Sequence, residues 1–268
     1  MTAHCLNFPR KHSSRMSRVA LALSCVVAGF SIGCTASETV VPLSQSFPIS
    51  SSLQENLSYP PFLELPRRAE TYRLAGLAAR QRENFSAAIA ALQTAVALAP
   101  RNVSGYVLLG WTQHLAGQRE DAIATLNQGL AVDAAHVPAL NALGIAYLVN
   151  GNIEDAIATH TQAKTLQSDN EIAYYNLSLA YQRLPDMAAA IGHADRATEL
   201  EPYNPHPWVA LALAHWSNQD PASAQIAYDQ ALQLDGRYYD AYHLEHLLRA
   251  GFSSDQIQIV EQIRTNQL

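Results

Sequence analysis

Between residues 69 and 238, small and apolar side chains recur at a fixed interval. Ala88, Ala122, Ala156, Ala190 and Ala224 stand 34 residues apart, and Ile89, Ile123, Ile157 and Ile191 follow the first four. Seven residues beyond each alanine come Ala95, Gly129, Ala163, Ala197 and Ala231; twelve before come Gly76, Gly110, Gly144, Ser178 and Ala212. Three small columns at one period, without insertion or deletion, predict two helices per unit stacked as a solenoid. The columns mark close approach of helices, where a larger side chain would force them apart and leave voids. Pro100, Pro138, Pro202 and Pro205 fall at unit boundaries, clear of helix interiors. A single unit leaves an apolar face uncovered, so stability has to come from stacking neighbours.

The residues in these columns resemble the tetratricopeptide repeat, W-x2-L-G-x2-Y, then A-x3-F, then P. The unit at 137–170 carries Leu140, Leu143, Gly144, Tyr147, Ala156, His160 and Ala163. The unit at 171–204 carries Tyr174, Leu177, Ser178, Tyr181, Ala190, Ala194, Ala197 and Pro202. The unit at 205–238 opens with Trp208 and Leu211 and continues with Ala224, Tyr228 and Ala231. Weaker copies occupy 69–102 (Tyr72, Gly76, Leu92, Pro100) and 103–136 (Tyr106, Leu109, Gly110, Leu126). The resemblance covers 170 of the 268 residues. It implies an all-α fold, a right-handed solenoid of five tandem 34-residue helix–turn–helix repeats.

In that family, partner segments lie in a concave groove lined by the first helix of each unit. The resemblance assigns to it Arg73, Leu77 and Arg80; Val107, Trp111 and His114; Asn141, Ile145 and Leu148; Tyr175, Leu179 and Gln182; and Val209, Leu213 and Trp216. Two tryptophans, a tyrosine and several aliphatics in one groove suit a protein or extended peptide segment, apolar or mixed. Any one of these residues can equally be core, since aromatic stripes at helical spacing also occur there. The Lys and Asn set that grips a C-terminal carboxylate in chaperone-binding members is missing, with Asn141 alone at a comparable position.

The first 36 residues read as an export segment. Arg10, Lys11, Arg15 and Arg18 precede the apolar run at 19–32, and no acid occurs before Glu38. Gly33-Cys34 and the small residues after them resemble a bacterial lipoprotein cleavage site, which makes Cys34 the lipidation candidate; Ser31 stands where that family prefers an aliphatic residue. Cleavage after Ala36, or retention of residues 19–36 as a membrane anchor, are the alternatives. Residues 37–68 read as a Ser/Pro-rich tether spanning roughly 30 Å on average, with Phe62 and Leu63 positioned to cap the first repeat. All three cysteines (Cys5, Cys25, Cys34) precede residue 35, so no disulfide framework, zinc finger or cysteine nucleophile is expected beyond. Without residues 1–33, 13 Lys and Arg face 23 Asp and Glu, a formal charge of −10 that disfavours nucleic acid.

After residue 238, the pattern of a sixth first helix begins at Tyr239 but carries Glu245 and His246 in place of the Leu-Gly pair. Gly251 reads as a helix stop and Ser254 as a new start, so residues 239–268 are expected to be capping helices with a polar outer face. His243 and His246, spaced i, i+3, lack the H-E-x-x-H arrangement and an evident third ligand, and carry only a minor metal-enzyme alternative. His160 and His215 replace family aromatics and read as hydrogen-bonded core or boundary residues. No phosphate loop or nucleophile elbow is present. The expectation is a non-enzymatic, cofactor-free scaffold, exported and membrane-tethered through its N-terminus, that binds protein partners as an adaptor or assembly factor. Self-association as a structural component is the alternative.

Overall fold

The computed structural model describes residues 65–184 and 186–266; the export segment, Cys34, Phe62 and Leu63 lie outside them. Ten α-helices follow one another in five pairs. They are α1 (Pro66–Gln81) with α2 (Phe85–Leu98), α3 (Val103–Leu115) with α4 (Arg119–Val132), and α5 (Val137–Asn150) with α6 (Ile153–Leu166). Then come α7 (Glu171–Arg183) with α8 (Met187–Leu200), and α9 (Pro205–Ser217) with α10 (Pro221–Leu234). Each helix packs on its neighbours in sequence, and α3, α5, α7 and α9 also touch in succession, so first helices share one face of an all-α solenoid. The first helix starts at Pro66, inside the stretch expected to be tether; proline suits that position because its missing N–H has no helical partner there.

The turn within each unit repeats as faithfully as the helices. The N–H groups of Asn84, Gln118, Asn152, Asp186 and Asp220 each donate to a carbonyl five residues back, at 2.9–3.0 Å. In four of these five closures a left-handed residue stands just before the donor. Gly117 and Gly151 supply it at φ +77° and +88°, but Glu83 and Gln219 adopt +57° and +62°, at a cost of about 1 kcal/mol each. Asn84, Asp186 and Asp220 then cap the second helix with a side-chain oxygen.

The small columns lie where the paired helices meet. A Cβ on Gly76 would stand 2.7 Å from Leu92, one on Gly110 2.6 Å from Leu126, and one on Gly144 2.3 Å from Nε2 of His160. Glycine is therefore required at these points by the large residue opposite. His160 departs from the expected hydrogen-bonded role: it is fully buried and neither ring nitrogen has a partner. The close approach of Gly144 that makes room for the ring leaves no polar group beside it.

Beyond α10 the chain leaves the repeat. Two 3-10 helices, η1 (Gly236–Tyr239) and η2 (Ala241–Ala250), precede α11 (Ser254–Thr265). The pattern of a sixth first helix that begins at Tyr239 is not carried into an α-helix. Asp235 and Asp240 accept bonds from the N–H groups of Arg237 and Tyr242, at 3.0 Å in each case, and wind the chain tightly. In a 3-10 helix residues three apart eclipse, and Leu244 and Leu247 form such a buried pair. Glu245 and His246 would not have permitted the close helix contact made at Leu143-Gly144. Gly251 stops the segment at φ +99°, and Ser253 with Gln256 forms a capping box at the start of α11.

Burial holds the His160 pKa at about 3, against 6.5 ordinarily. The unfolded chain takes up a proton at this residue below about pH 6.5 and the folded chain does not, so stability falls as pH drops through that window. The slope from this residue is about 1.4 kcal/mol per pH unit. Denaturant titrations at pH 7, 6 and 5 are expected to show this loss, and His160→Leu is expected to remove its share of the slope.

Candidate functional site: the concave face and the segment that crosses it

The C-terminal segment covers several of the residues assigned to the concave face. Leu148, Tyr175, Leu179, Val209 and Leu213 are buried. Tyr175, Leu179, Val209 and Leu213 share one core cluster with Tyr238, Leu244, Leu247 and Phe252 of the segment and Val260 and Ile263 of α11, and Trp216 packs against it. These positions are core, and their assignment to an open groove is corrected: from α5 to α9 the groove is occupied by the chain's own C-terminus. Asn141 is corrected separately. Its amide exchanges two bonds with that of Asn170, at 3.0 and 3.1 Å, while Asn170 caps α7. It is buried and secures a turn between units.

Polar side chains on the first helices hold the segment's backbone. Arg183 donates to the carbonyls of Leu148 and Gly251 and to Oε1 of Gln256. Gln256 donates to the carbonyl of Leu179 at 3.1 Å and to Oε1 of Gln182 at 2.6 Å. The Tyr175 hydroxyl donates to the carbonyl of Ala250 at 3.1 Å; burial holds this phenol well above its ordinary pKa, so it remains a neutral donor. Nε2 of His114 lies 3.3 Å from the carbonyl of Arg249, and burial lowers the pKa of this ring.

What remains open lies on either side of η2. On one side is a cavity of about 420 Å³ walled by Trp111 and Ile145 from the solenoid, by Tyr175 at its floor, and by His206, His246 and Arg249. On the other, His114, Arg119, Val149, Glu245 and Arg249 border a second space of about 510 Å³. Trp111 is half-buried and stacks on His114 with ring centroids 4.8 Å apart. Arg73, Leu77, Arg80 and Val107 continue the face on α1 and α3, all partly exposed; Arg73 is paired to Glu70 at 2.6 Å.

His243 and His246 face different partners. Their rings lie 4.2 Å apart on one stripe of η2, but Nε2 of His243 lies 3.9 Å from Asp235, whose carboxyl Arg237 holds down at about 2. Nε2 of His246 instead faces Nε2 of His206 at 3.2 Å, with the Tyr238 hydroxyl at 3.3 Å. Burial, then His246 and His243, lower the His206 pKa to about 4. This cluster escaped the sequence reading because its histidines are 40 residues apart; a shared 3-10 stripe is the one signal that could have placed His246. Among the described residues, no group of three or more His, Cys, Asp or Glu is placed to hold a metal ion. His215 lies 3.8 Å from Asp220, with its Nδ1 making no hydrogen bond.

Replacing Arg183 with alanine is expected to release the segment while leaving the repeats folded. Its charged bonds are worth about 1.5–3 kcal/mol each when the acceptors are left buried. Hydrogen exchange should accelerate across residues 241–265 and remain unchanged in α1–α4.

Tetratricopeptide repeat profiles match residues 79–143, 141–205 and 205–238, together spanning most of the solenoid. No curated protein sequence matches. Among solved structures, a MamA protein superposes with a TM-score of 0.54 at 24% identity, over 65% of this chain and 94% of that one. A tetratricopeptide repeat protein of Thermus thermophilus gives 0.56 at 18%, over 68% and 98%. The pilF protein of Pseudomonas aeruginosa gives 0.59 at 20%, over 74% and 89%. At these identities the likeness concerns the fold. Repeating columns, paired helices and matching profiles agree: the chain belongs to the tetratricopeptide repeat family.

Proposed function

We propose that this chain is an exported, membrane-tethered scaffold that holds a protein partner on the open part of its concave face, as an adaptor or assembly factor. The cavity walled by Trp111, Ile145 and Tyr175 carries this reading. It is concave and lined by aromatic and aliphatic side chains, which suits an apolar side chain from an extended partner segment. Val107 and the arginines of α1 extend the surface for the rest of that segment. Repeats of this family are consistent with protein–protein interaction and are generally non-catalytic, and the reading assigns no reaction to this chain. Tethering rests on the basic, apolar and Cys34-bearing N-terminus. No helix among the described residues is long and apolar enough to cross a membrane.

Self-association remains a second reading, favoured by an uneven distribution of charge. Residues 65–119 carry seven arginines against two glutamates, whereas residues 120–266 carry six basic against eighteen acidic residues. One end of the solenoid therefore complements the other, the arrangement of a head-to-tail contact that does not close on itself.

A Trp111→Ala chain, checked for native helicity by circular dichroism, is expected to lose at least about 2 kcal/mol of partner affinity, as buried aromatic anchors do. Capture from solubilised membranes should retain the partner on the native chain and lose it on the variant; equal recovery would move recognition off this face. Light scattering across salt concentration tests the second reading: an assembly that dissociates as salt rises supports it, and a monomer at low salt removes it.

A further inference from the structure

Imidazole contacts fasten η2 to the solenoid at two points, and both suit uncharged rings. At α9, Nε2 of His206 and Nε2 of His246 lie 3.2 Å apart. A hydrogen bond between them needs a hydrogen on one nitrogen and a lone pair on the other. With both rings protonated, two cationic N–H groups would face each other and no bond would remain. His243 adds another ring on the same stripe, its centroid 4.2 Å from that of His246. At α3, Nε2 of His114 meets the carbonyl of Arg249, while its Nδ1 is buried without a partner. A proton on that nitrogen would have no acceptor. The segment has little of its own to hold it, since ten residues is long for a 3-10 helix and such helices have poorly aligned hydrogen bonds.

We propose that His114, His206 and His246 form a pH-sensitive latch, and that acid releases η1 and η2 from the concave face. The surroundings offer the protonated rings little compensation. Among the described residues, His243 is the one of the four rings paired with a carboxylate, Asp235 at 3.9 Å, and Arg237 already holds that carboxylate at 2.7 Å. Asp240 accepts the N–H of Tyr242. Glu171 of α7 and Glu245 of η2 border the two spaces, where Arg249 of η2 and Arg119 of α4 oppose them. Tyr175 and Tyr238 are neutral phenols held well above their ordinary pKa by burial. Burial lowers the pKa of His114; burial, then His246 and His243, hold that of His206 at about 4. The docked segment therefore binds fewer protons than the released one, and docking weakens as pH falls from about 6.5 towards 4. His206 alone shifts the balance about twentyfold towards release between pH 7 and pH 5. Release uncovers Leu179, Val209 and Leu213, which now share a core with Leu244, Leu247 and Phe252. Use of the uncovered groove by a partner rests on the function proposed above; the latch itself does not.

The test is hydrogen exchange of the full chain at pH 7, 6 and 5, corrected for the intrinsic rate at each pH, beside His206→Gln and His246→Gln. No partner is added, so the outcome does not depend on what the face binds. In the native chain, protection of residues 236–250 is expected to fall about twentyfold or more from pH 7 to pH 5, beyond any fall in α5 and α6. The regional difference separates the latch from the loss due to His160, which weakens α5 and α6 as well. Each variant is expected to show a several-fold smaller fall. A fall shared equally by α5, α6 and residues 236–250, or one of equal size in native and variant chains, overturns the latch. Should a variant fail to fold, a dye that fluoresces on apolar surface decides on the native chain alone. A rise at pH 5 with helicity retained supports release; no rise, or a rise that comes only with loss of helicity, rejects it.

Discussion

Close contact between the two helices of a unit is the constraint on which the rest of this molecule depends. Leu92, Leu126 and His160 fill the space in which Gly76, Gly110 and Gly144 would otherwise carry a Cβ. A side chain larger than hydrogen would push the helices apart, at a typical cost of about 1–3 kcal/mol in a well-packed interior. A small residue recurs at this position every 34 residues, glycine in the first three units and Ser178 and Ala212 in the last two. The first helices then line one face and the second helices the other. The concave surface is a geometrical result of that repeated contact.

Such a surface presents a difficulty as well as a site. Leu179, Val209 and Leu213 in a row would form an exposed apolar strip of the kind that soluble chains cover or use for binding. The chain covers this one itself, with Leu244, Leu247 and Phe252. A 3-10 segment laid across helices brings its own backbone carbonyls into the core; Tyr175 and Arg183 donate to those of Ala250 and Gly251, and Gln256 of α11 donates in turn to the carbonyl of Leu179. The cover is thus anchored by polar groups as well as by burial, and it limits the accessible face to α1, α3 and the two spaces beside η2.

The repeats were legible in the sequence because their signals are local and redundant: one small residue misread in a column would not alter the period. Gly117 and Gly151, 34 residues apart, take the left-handed turn conformation, and Glu83 and Gln219 adopt the same conformation behind ordinary side chains. The groove was legible only as a set of positions. Trp111, Ile145 and Tyr175 do meet at one cavity, but Leu179 and Leu213, assigned by the same register, are core. Nothing near these leucines distinguishes them from Val107; the difference lies in residues 31 or more positions further along the chain.

By itself, the sequence determined the period, the pairing of helices and the family, since each follows from contacts between residues close together along the chain. It also determined that the repeat ends near Tyr238, where the small columns stop. Only the tertiary structure decided which part of the concave face is open and which histidines meet. A helical register sets the direction of a side chain, but burial depends on what the distant chain lays over it. His206 and His246 come together because a tight 3-10 turn, and not a sixth repeat, carries the C-terminus back across the groove.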